Sequence, residues 1–321
     1  MSWTDVSKQS GDDTTFRPKL IDDMLGQERV RNILRVALQS SVIRACPMEH
    51  VLLSGPKGLG KTTLAQCIAN ETGGTVTETI GRAFVDVDFH SLFDTMKAGD
   101  ILFIDEIHSV PLEYQELLYP VMEDFKMHVP VPGFKPVQVD LPKITIIGAT
   151  TNDGLVAAPM RDRFGLAVQL DYYTVDELAE IAQRDLTIFG VSATPSATKQ
   201  IAMRSRGTPR LAKRFVRRVI DYATVRANGE VTEAVLDECF EQLGIDDLGL
   251  DRVDHQILQT INGNGGTASI QTLSFSTGVD VETLRDKHES YLIRSGIVQV
   301  GSKGRFLTSY GEEIATIHQP R

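Results

Sequence analysis

Residues 51–70 read VLLSGPKGLGKTTLAQCIAN, a short apolar run that enters a glycine-rich turn and leaves it with helical spacing. Gly55, Gly60, Lys61 and Thr62 fill every defined position of the pattern G-x-x-x-x-G-K-[ST]. That spacing narrows the fold. A buried strand that hands its chain through such a turn to a helix belongs in a parallel sheet with helices over its faces. Glycines at Gly55, Gly58 and Gly60, with Pro56 between them, let successive N–H groups converge on phosphate oxygens, and the helix starting at Lys61 adds the positive end of its dipole. Lys61 then reaches the β- and γ-phosphates of ATP, and the Thr62 hydroxyl ligates Mg²⁺. A glycine-rich turn without a ligand is the competing reading, and the strand before it and the helix after it weigh against that.

Runs that read as buried strands recur at 51–55, 75–80, 100–105, 144–149 and 166–170, with helical patterns between several of them. The expected fold class is therefore α/β, with a largely parallel sheet. After LDYYT the pattern turns all-helical: 175–189, 195–206, 209–227 and 231–243 have helical spacing, broken by Gly190, Gly207 and Asn228-Gly229. From about 246 come a helix at 251–262, a Gly/Asn turn, two short helices and two strand-like runs around Gly301-Ser302-Lys303-Gly304, which predict a winged helix. The expected organisation is a disordered tail over 1–15, a large ATPase domain over 16–173, a helical lid over 174–245 and a winged-helix DNA-binding domain over 246–321. A chain of 321 residues, 41% of them hydrophobic, can fill more than one core.

A formal charge of −10 argues against a protein that coats nucleic acid over its whole surface and confines any DNA contact to one face. Cys46, Cys67 and Cys239 lack C-x-x-C spacing, so neither a disulfide framework nor a zinc site is expected, and Cys67 reads as a buried thiol. No apolar run reaches membrane-spanning length and the N-terminus has no signal-peptide core, which predicts a cytoplasmic protein without a membrane partner.

ILFIDEIH, residues 101–108, is an apolar strand ending in two acids. Alone, such a pair reads as solvated carboxylates. Some forty-five residues after a phosphate-binding turn, roughly, Asp105 reads as support for the Mg²⁺ shell and Glu106 as the group that orients and deprotonates the attacking water. ITIIGATTN brings polar residues to a strand end beside the γ-phosphate, and Thr151, with Thr150 as the alternative, is the candidate sensor of that phosphate. In APMRDRFG, Arg163 is the candidate for stabilising the transferring phosphoryl group in a neighbouring subunit, against the plainer reading of a surface ion pair. Arg161 is expected to pair locally. In SRGTPRLAKRFVRRV, Gly207-Thr208-Pro209 reads as a helix-start turn and Arg210 as a first-turn arginine aimed back at the nucleotide. Lys213, Arg214, Arg217 and Arg218 form either a DNA-facing stripe or, as such runs more often do, a solvated or subunit-facing surface.

On these strings, together with FRPKLIDDMLGQ, LLYPVMEDF, LDYY and YLIRSGIVQ, the sequence resembles the RuvB family of AAA+ ATPases, and the resemblance covers nearly the whole chain from Arg17 onward. YPVMEDF and RGTPR are specific to that family rather than general to AAA+ proteins. The resemblance implies a homohexameric ring of three-domain subunits that hydrolyses ATP at subunit interfaces and translocates duplex DNA at four-way junctions, partnered by a RuvA-like junction-binding protein. It also implies that Phe16 and Arg17 lie at the adenine end of the nucleotide and that Tyr173 and Arg210 close the pocket from the lid side. Thr63 would join Lys61 and Thr62 at the phosphates, Glu123, Asp124 and Phe125 would also border the nucleotide, and Arg163 matches the family's trans-acting finger.

Departures from the family fall away from these positions. GPKGLGKT stands where GPPGLGKT is typical, and TIGRAFVDVDFHSLFDTM matches poorly. KMHVPVPGFKPVQVD, in place of the hairpin that docks on RuvA, is shorter and contains Pro130, Pro132 and Pro136, none of which can donate to a ladder. In the winged helix Arg305 matches a DNA-backbone arginine with Lys303 beside it, while Val281 and Val300 stand where arginines are expected. The wing then reads either as a residual phosphate contact or as structure alone. Two functions stay open: an ATP-driven motor that promotes Holliday-junction branch migration, and a AAA+ ring that remodels or loads a protein partner in nucleic-acid metabolism without translocating DNA. Intact catalytic residues serve both, and the hairpin and valines favour the second.

Overall fold

In the computed structural model, residues 17–86, 88–89, 91–129, 133 and 135–317 are described. The chain divides into two compact units, the first running to Phe189 and taking back Gly207–Lys213, the second holding Gly190–Arg206 and the chain from Arg214 onward.

The first unit contains strands β1 (Val51–Ser54), β2 (Val76–Ile80), β3 (Ile101–Asp105), β4 (Lys126–Val129), β5 (Val137–Asp140), β6 (Thr145–Thr150) and β7 (Leu166–Gln169). Its helices are α1 (Glu28–Arg44), α2 (Lys61–Thr72), α3 (Leu112–Asp124) and α4 (Val175–Ile188). The main sheet has the order β2-β3-β6-β1-β7 and is parallel throughout. Every residue of β6 is buried, and β1 and β3 are buried except at their last residue, which is why they read as unbroken apolar runs. The edge strands β2 and β7 are half-exposed. On one side of the sheet Leu52, Leu102, Ile104 and Ile146 meet Phe84, Phe93, Leu118 and Val121 in a continuous core.

Topology places the site. Because β6 lies between β1 and β3, the carboxyl ends of all three strands open at one edge, where open α/β sheets bind ligands. Ser54 stands opposite Thr150, and the Gly55 N–H donates to the Thr150 carbonyl at 3.1 Å. Strands β4 and β5 form the expected hairpin, with Lys126 opposite Asp140 and Val129 opposite Val137. Pro136 precedes β5, where no ladder donor is needed; Pro130 and Pro132 lie outside the described residues.

The second unit holds α5 (Pro195–Arg204), most of α6 (Pro209–Arg226), α7 (Glu233–Leu243) and a short parallel pair, β8 (Ser192–Ala193) with β9 (Glu230–Val231). Thr194 and Thr232 cap α5 and α7 by accepting from the backbone N–H groups of Ala197 and Val235. A winged helix follows: α8 (Arg252–Gly263), β10 (Thr267–Ala268), α9 (Ile270–Thr277), a helix over Val281–Thr283 and Ser290–Arg294 with a π-helical centre at Leu284–Glu289, β11 (Val298–Gly301), β12 (Gly304–Leu307) and a last helix, Ser309–Ile317. Its sheet has the order β10-β12-β11, and Gly301 faces Gly304 across the predicted two-residue turn.

Buried charges gather at the start of α8. Asp254 is fully buried, His288 is 1% exposed, and His288 Nδ1 lies 2.7 Å from Asp254 Oδ1. The Arg206 guanidinium pairs with the other Asp254 oxygen, and Lys287 lies 3.1 Å from Asp251. Burial pushes the Asp251 carboxyl up, but His288, Lys287 and the Asp254 N–H outweigh it and hold Asp251 down at about 2.

Candidate nucleotide site

Gly55 and Gly58 take up backbone angles that side chains resist, with φ of +135° and +85°. A Cβ at Gly55 would sit 2.6 Å from the Leu170 carbonyl oxygen, and one at Gly58 would sit 2.9 Å from the Arg210 Cβ. The loop is thus shaped by its neighbours as much as by its own glycines. Lys61, only 9% exposed, turns its ammonium onto the loop, donating to the carbonyls of Gly55 at 2.6 Å and Pro56 at 3.0 Å. Burial draws the Lys61 pKa below its ordinary value, and the carboxylates of Asp105 and Glu106 pull it back up. Incoming phosphate oxygens can replace those carbonyls on an ammonium that is already largely out of water. Thr62 and Thr63 stand half-buried in the first turn of α2.

Asp105 ends β3, and its Oδ1 accepts from the Glu106 N–H at 3.0 Å. Glu106 has φ +50° and faces both Lys57, at 3.9 Å, and His108, whose Nε2 lies 3.4 Å from Glu106 Oε2. At the end of β6 the Thr150 hydroxyl is buried, 3.0 Å from the Asn152 carbonyl and 2.9 Å from His108 Nδ1. Thr151, the first-choice sensor, is half-buried one residue further on.

Tyr173 and Arg210 close over the loop from the other side. The Tyr173 hydroxyl donates to the Leu59 carbonyl at 3.3 Å and its N–H to the Gly207 carbonyl at 3.0 Å, while the Arg210 N–H reaches the Gly58 carbonyl at 3.4 Å. Burial raises the Tyr173 pKa, so the phenol stays a neutral donor. A small cleft beside it is lined by Pro18, Met24, Leu25, Leu59, Thr63, Tyr173, Arg184 and Lys213. Lys213 therefore faces the nucleotide side rather than a DNA-facing or solvated stripe, and burial lowers its pKa against the opposing charge of Asp185. Arg17 is exposed and near enough to Lys213 to lower it further; Phe16 lies outside the described residues. Arg214 and Arg218 do lie on the surface, and Arg218 pairs with Asp221 at 3.1 Å.

Arg163 is fixed by three groups of its own chain. Its guanidinium lies 2.9 Å from Glu123, donates to the Pro159 carbonyl at 2.6 Å, and stacks 3.9 Å from the centre of the Tyr119 ring. Glu123 and Asp124 close α3 as exposed carboxylates, and Phe125 caps it in a left-handed conformation. Among the described residues no hydrogen bond or ion pair links Glu123 or Arg163 to the phosphate loop of the same chain. The expected roles of the two arginines in the local pairing are exchanged: Arg161 is exposed and has no ion pair among the described residues.

In the winged helix, Lys303 is exposed in the turn, but Arg305 donates from Nε and Nη2 to the two carboxylate oxygens of Glu289, at 2.7 and 3.1 Å. Val300 is 49% exposed beside it, whereas Val281 packs against the domain core.

Comparison with known proteins accounts for this arrangement along the whole chain. Residues 16–170 match the family model described as the Holliday junction DNA helicase RuvB P-loop domain, 173–246 the RuvB AAA lid domain, and 247–315 the RuvB C-terminal winged helix domain. The Holliday junction branch migration complex subunit RuvB of Rubrobacter xylanophilus is 40% identical over 308 residues, covering 94% of this chain and 87% of its own. A solved structure of Thermotoga maritima RuvB, titled a Holliday junction branch migration motor, is 39% identical over 95% of this chain and 99% of its own, with a TM-score of 0.84. A lysine-to-arginine mutant of the same protein superimposes with a TM-score of 0.85 at 38% identity, over 95% of this chain and 100% of its own. A phosphate loop, a lid and a winged helix in one order, matched over nearly all of residues 16–315, make this chain a member of the RuvB family of P-loop AAA+ ATPases.

Proposed function

We propose that this protein is the ATP-hydrolysing motor of Holliday-junction branch migration, moving duplex DNA during recombination and repair as a homohexameric ring. One observation supports it above the others. The phosphate loop, Asp105, Glu106 and Thr151 meet at adjacent strand ends, while Arg163 is braced on Glu123 and bonded to nothing in its own loop. An arginine so held serves a second copy's site. The three parts of the chain act as ATPase domain (16–173), lid (174–245) and winged helix (246–321).

Lys61, Thr62 and Thr63 hold the phosphates, with Tyr173, Arg210, Arg17 and Lys213 around the remainder of ATP. The Thr62 hydroxyl and the Asp105 carboxylate are hard oxygen donors of the kind Mg²⁺ takes, and they fit that ion. When bound, the ion offsets the negative charge of the β- and γ-phosphates. Glu106 accepts the proton of the attacking water, and Arg163 of the neighbour meets the charge that develops on the phosphoryl oxygens. Its buttress Glu123, with Asp124 and Phe125, lies on that same intersubunit face.

Formation of the β4–β5 hairpin favours a RuvA-like loading partner over the protein-remodelling reading, since the chain builds the ladder its prolines put in question. Lys303 is the wing's exposed cation toward DNA phosphates. No described helix is long and apolar enough to cross a membrane, in keeping with work on cytoplasmic DNA. The test is ATP turnover with four-way junction DNA, with and without a RuvA-like protein. Stimulation by the junction, increased by that partner, is the expected result; turnover indifferent to DNA in both conditions would refute the motor reading.

A further inference from the structure

His108 is absorbed by none of these roles, yet it stands between two parts of the site, Glu106 and Thr150. Thr150 Oγ1 accepts from the Asn152 N–H at 3.1 Å and has two acceptors within reach of its one hydrogen, the Asn152 carbonyl at 3.0 Å and His108 Nδ1 at 2.9 Å. Across the ring, Nε2 stands 3.4 Å from Glu106 Oε2, and a neutral imidazole attracts that carboxylate only with its hydrogen on Nε2, which leaves Nδ1 to accept from the Thr150 hydroxyl. Ser109 Oγ donates to the Glu106 carbonyl at 2.7 Å, and Gly81 packs so closely that a Cβ there would lie 2.4 Å from that carbonyl oxygen. The Glu106 backbone is therefore fixed by its surroundings, while its carboxylate is located by His108 and by the more distant Lys57.

We infer that His108 is a positioning residue that ties the Glu106 carboxylate to the buried end of β6. Thr151, the proposed phosphate sensor, directly follows β6, so the chain Thr150–His108–Glu106 aligns the base with the strand end that presents the sensor to the γ-phosphate. The inference rests on Glu106 being the base that activates water. A carboxylate released from this tie keeps its charge and loses its aim, which lowers turnover without weakening ATP binding.

The experiment measures steady-state ATP turnover by the full chain carrying His108→Ala, Thr150→Val, Thr150→Ser, the His108→Ala/Thr150→Val pair, or Glu106→Gln. His108→Ala and Thr150→Val should each lower kcat about tenfold or more, with KM for ATP within about twofold of the parent. Thr150→Ser, which keeps the hydroxyl, should restore most of the activity. The double variant should be no slower than the slower single one, because both cut the same chain. With nitrogen-labelled histidine, the ring resonance that disappears in His108→Gln should report hydrogen on Nε2 in the parent, and its Nδ1 signal should shift in Thr150→Val, where the hydroxyl donor is gone. Turnover by Glu106→Gln at the parent rate would remove the base itself and with it the reading this rests on. An inactive Glu106→Gln beside a normal His108→Ala, multiplicative losses in the double variant, or hydrogen on Nδ1 alone would overturn the inference and leave Glu106 in place.

Discussion

Truncating Arg305 to alanine removes both bonds to Glu289, at 2.7 and 3.1 Å, from a pair whose side chains are only 14% and 17% exposed. The remaining carboxylate has no other side-chain partner among the described residues and stands near Ile257, Ile270, Leu284 and Leu292. Breaking a fully buried pair costs about 3–5 kcal/mol and an exposed one about 0–1 kcal/mol, so partial exposure sets the expectation near 2 kcal/mol. For a body of this size that is a fall in melting temperature of roughly 4–8 °C. The assay is thermal unfolding of the full chain, paired with a salt titration of DNA binding. Glu289→Ala should lose a similar amount, and the double variant should recover about 1–2 kcal/mol of the summed losses, since each single change strands a partner. Lys303→Ala, not Arg305→Ala, should lower the log–log salt slope by about one unit. An unchanged melting temperature together with a slope reduced in Arg305→Ala would refute the reasoning and make Arg305 a phosphate contact.

Two further outcomes follow from the same geometry. Arg163→Ala subunits should bind ATP and hydrolyse it at least about a hundredfold more slowly, and mixing them with Lys61→Ala subunits should recover some turnover where an intact arginine faces an intact loop; no recovery in verified mixed rings would count against a trans role. Asp251, held down at about 2 in the folded chain, contributes stability that is present above its unfolded pKa near 4 and is lost as pH falls through about 2, an amount of order 2 kcal/mol. Denaturant titrations of the parent and Asp251→Asn, which keeps the helix cap, should therefore converge as pH drops from about 5 to about 2, and a gap independent of pH would contradict the assignment.

The strands and the loop were legible because each rests on local pattern: unbroken apolar runs for β1, β3 and β6, and fixed spacing for the phosphate loop. Helix α1 was not, since its outer face carries Val36, Val42 and Ile43, exposed by 65%, 72% and 82%, which blur the period set by the buried Val30, Leu34 and Leu38. Pro120 lies inside α3, where a proline in the sequence ordinarily marks a helix boundary. Side-chain partners were the harder part. Glu289 is sixteen residues from Arg305, and Thr150 forty-two from His108, separations that no periodicity reports. In the run KRFVRR the buried Ala212, Phe215, Val216 and Val219 fix the inner face of α6, but only the folded chain puts Lys213 on the flank beside Tyr173 and leaves Arg214 and Arg218 in solvent.

The string RGTPR carries this lesson further, because its two arginines look alike in sequence and differ in everything physical. Arg210 is exposed, with its backbone on Gly58 and its stem over that glycine, and so bears on the phosphate loop. Arg206 is 9% exposed and sits at φ +49°, a left-handed conformation that costs a side-chain-bearing residue about 1–2 kcal/mol. Glycine would relieve that cost. It would also remove the guanidinium that pairs with fully buried Asp254 and donates to the Gly249 carbonyl at 2.7 Å, and a buried carboxylate left without its cation costs about 3–5 kcal/mol. The second term wins, so the turn carries an arginine in spite of its backbone, and its carbonyl is held in turn by Arg294 of YLIRSG at 2.7 Å. Two strings that mark the family thus meet at one residue for a structural reason, while the arginine four places later stands against Gly58 of the phosphate loop, where we propose that it serves the nucleotide.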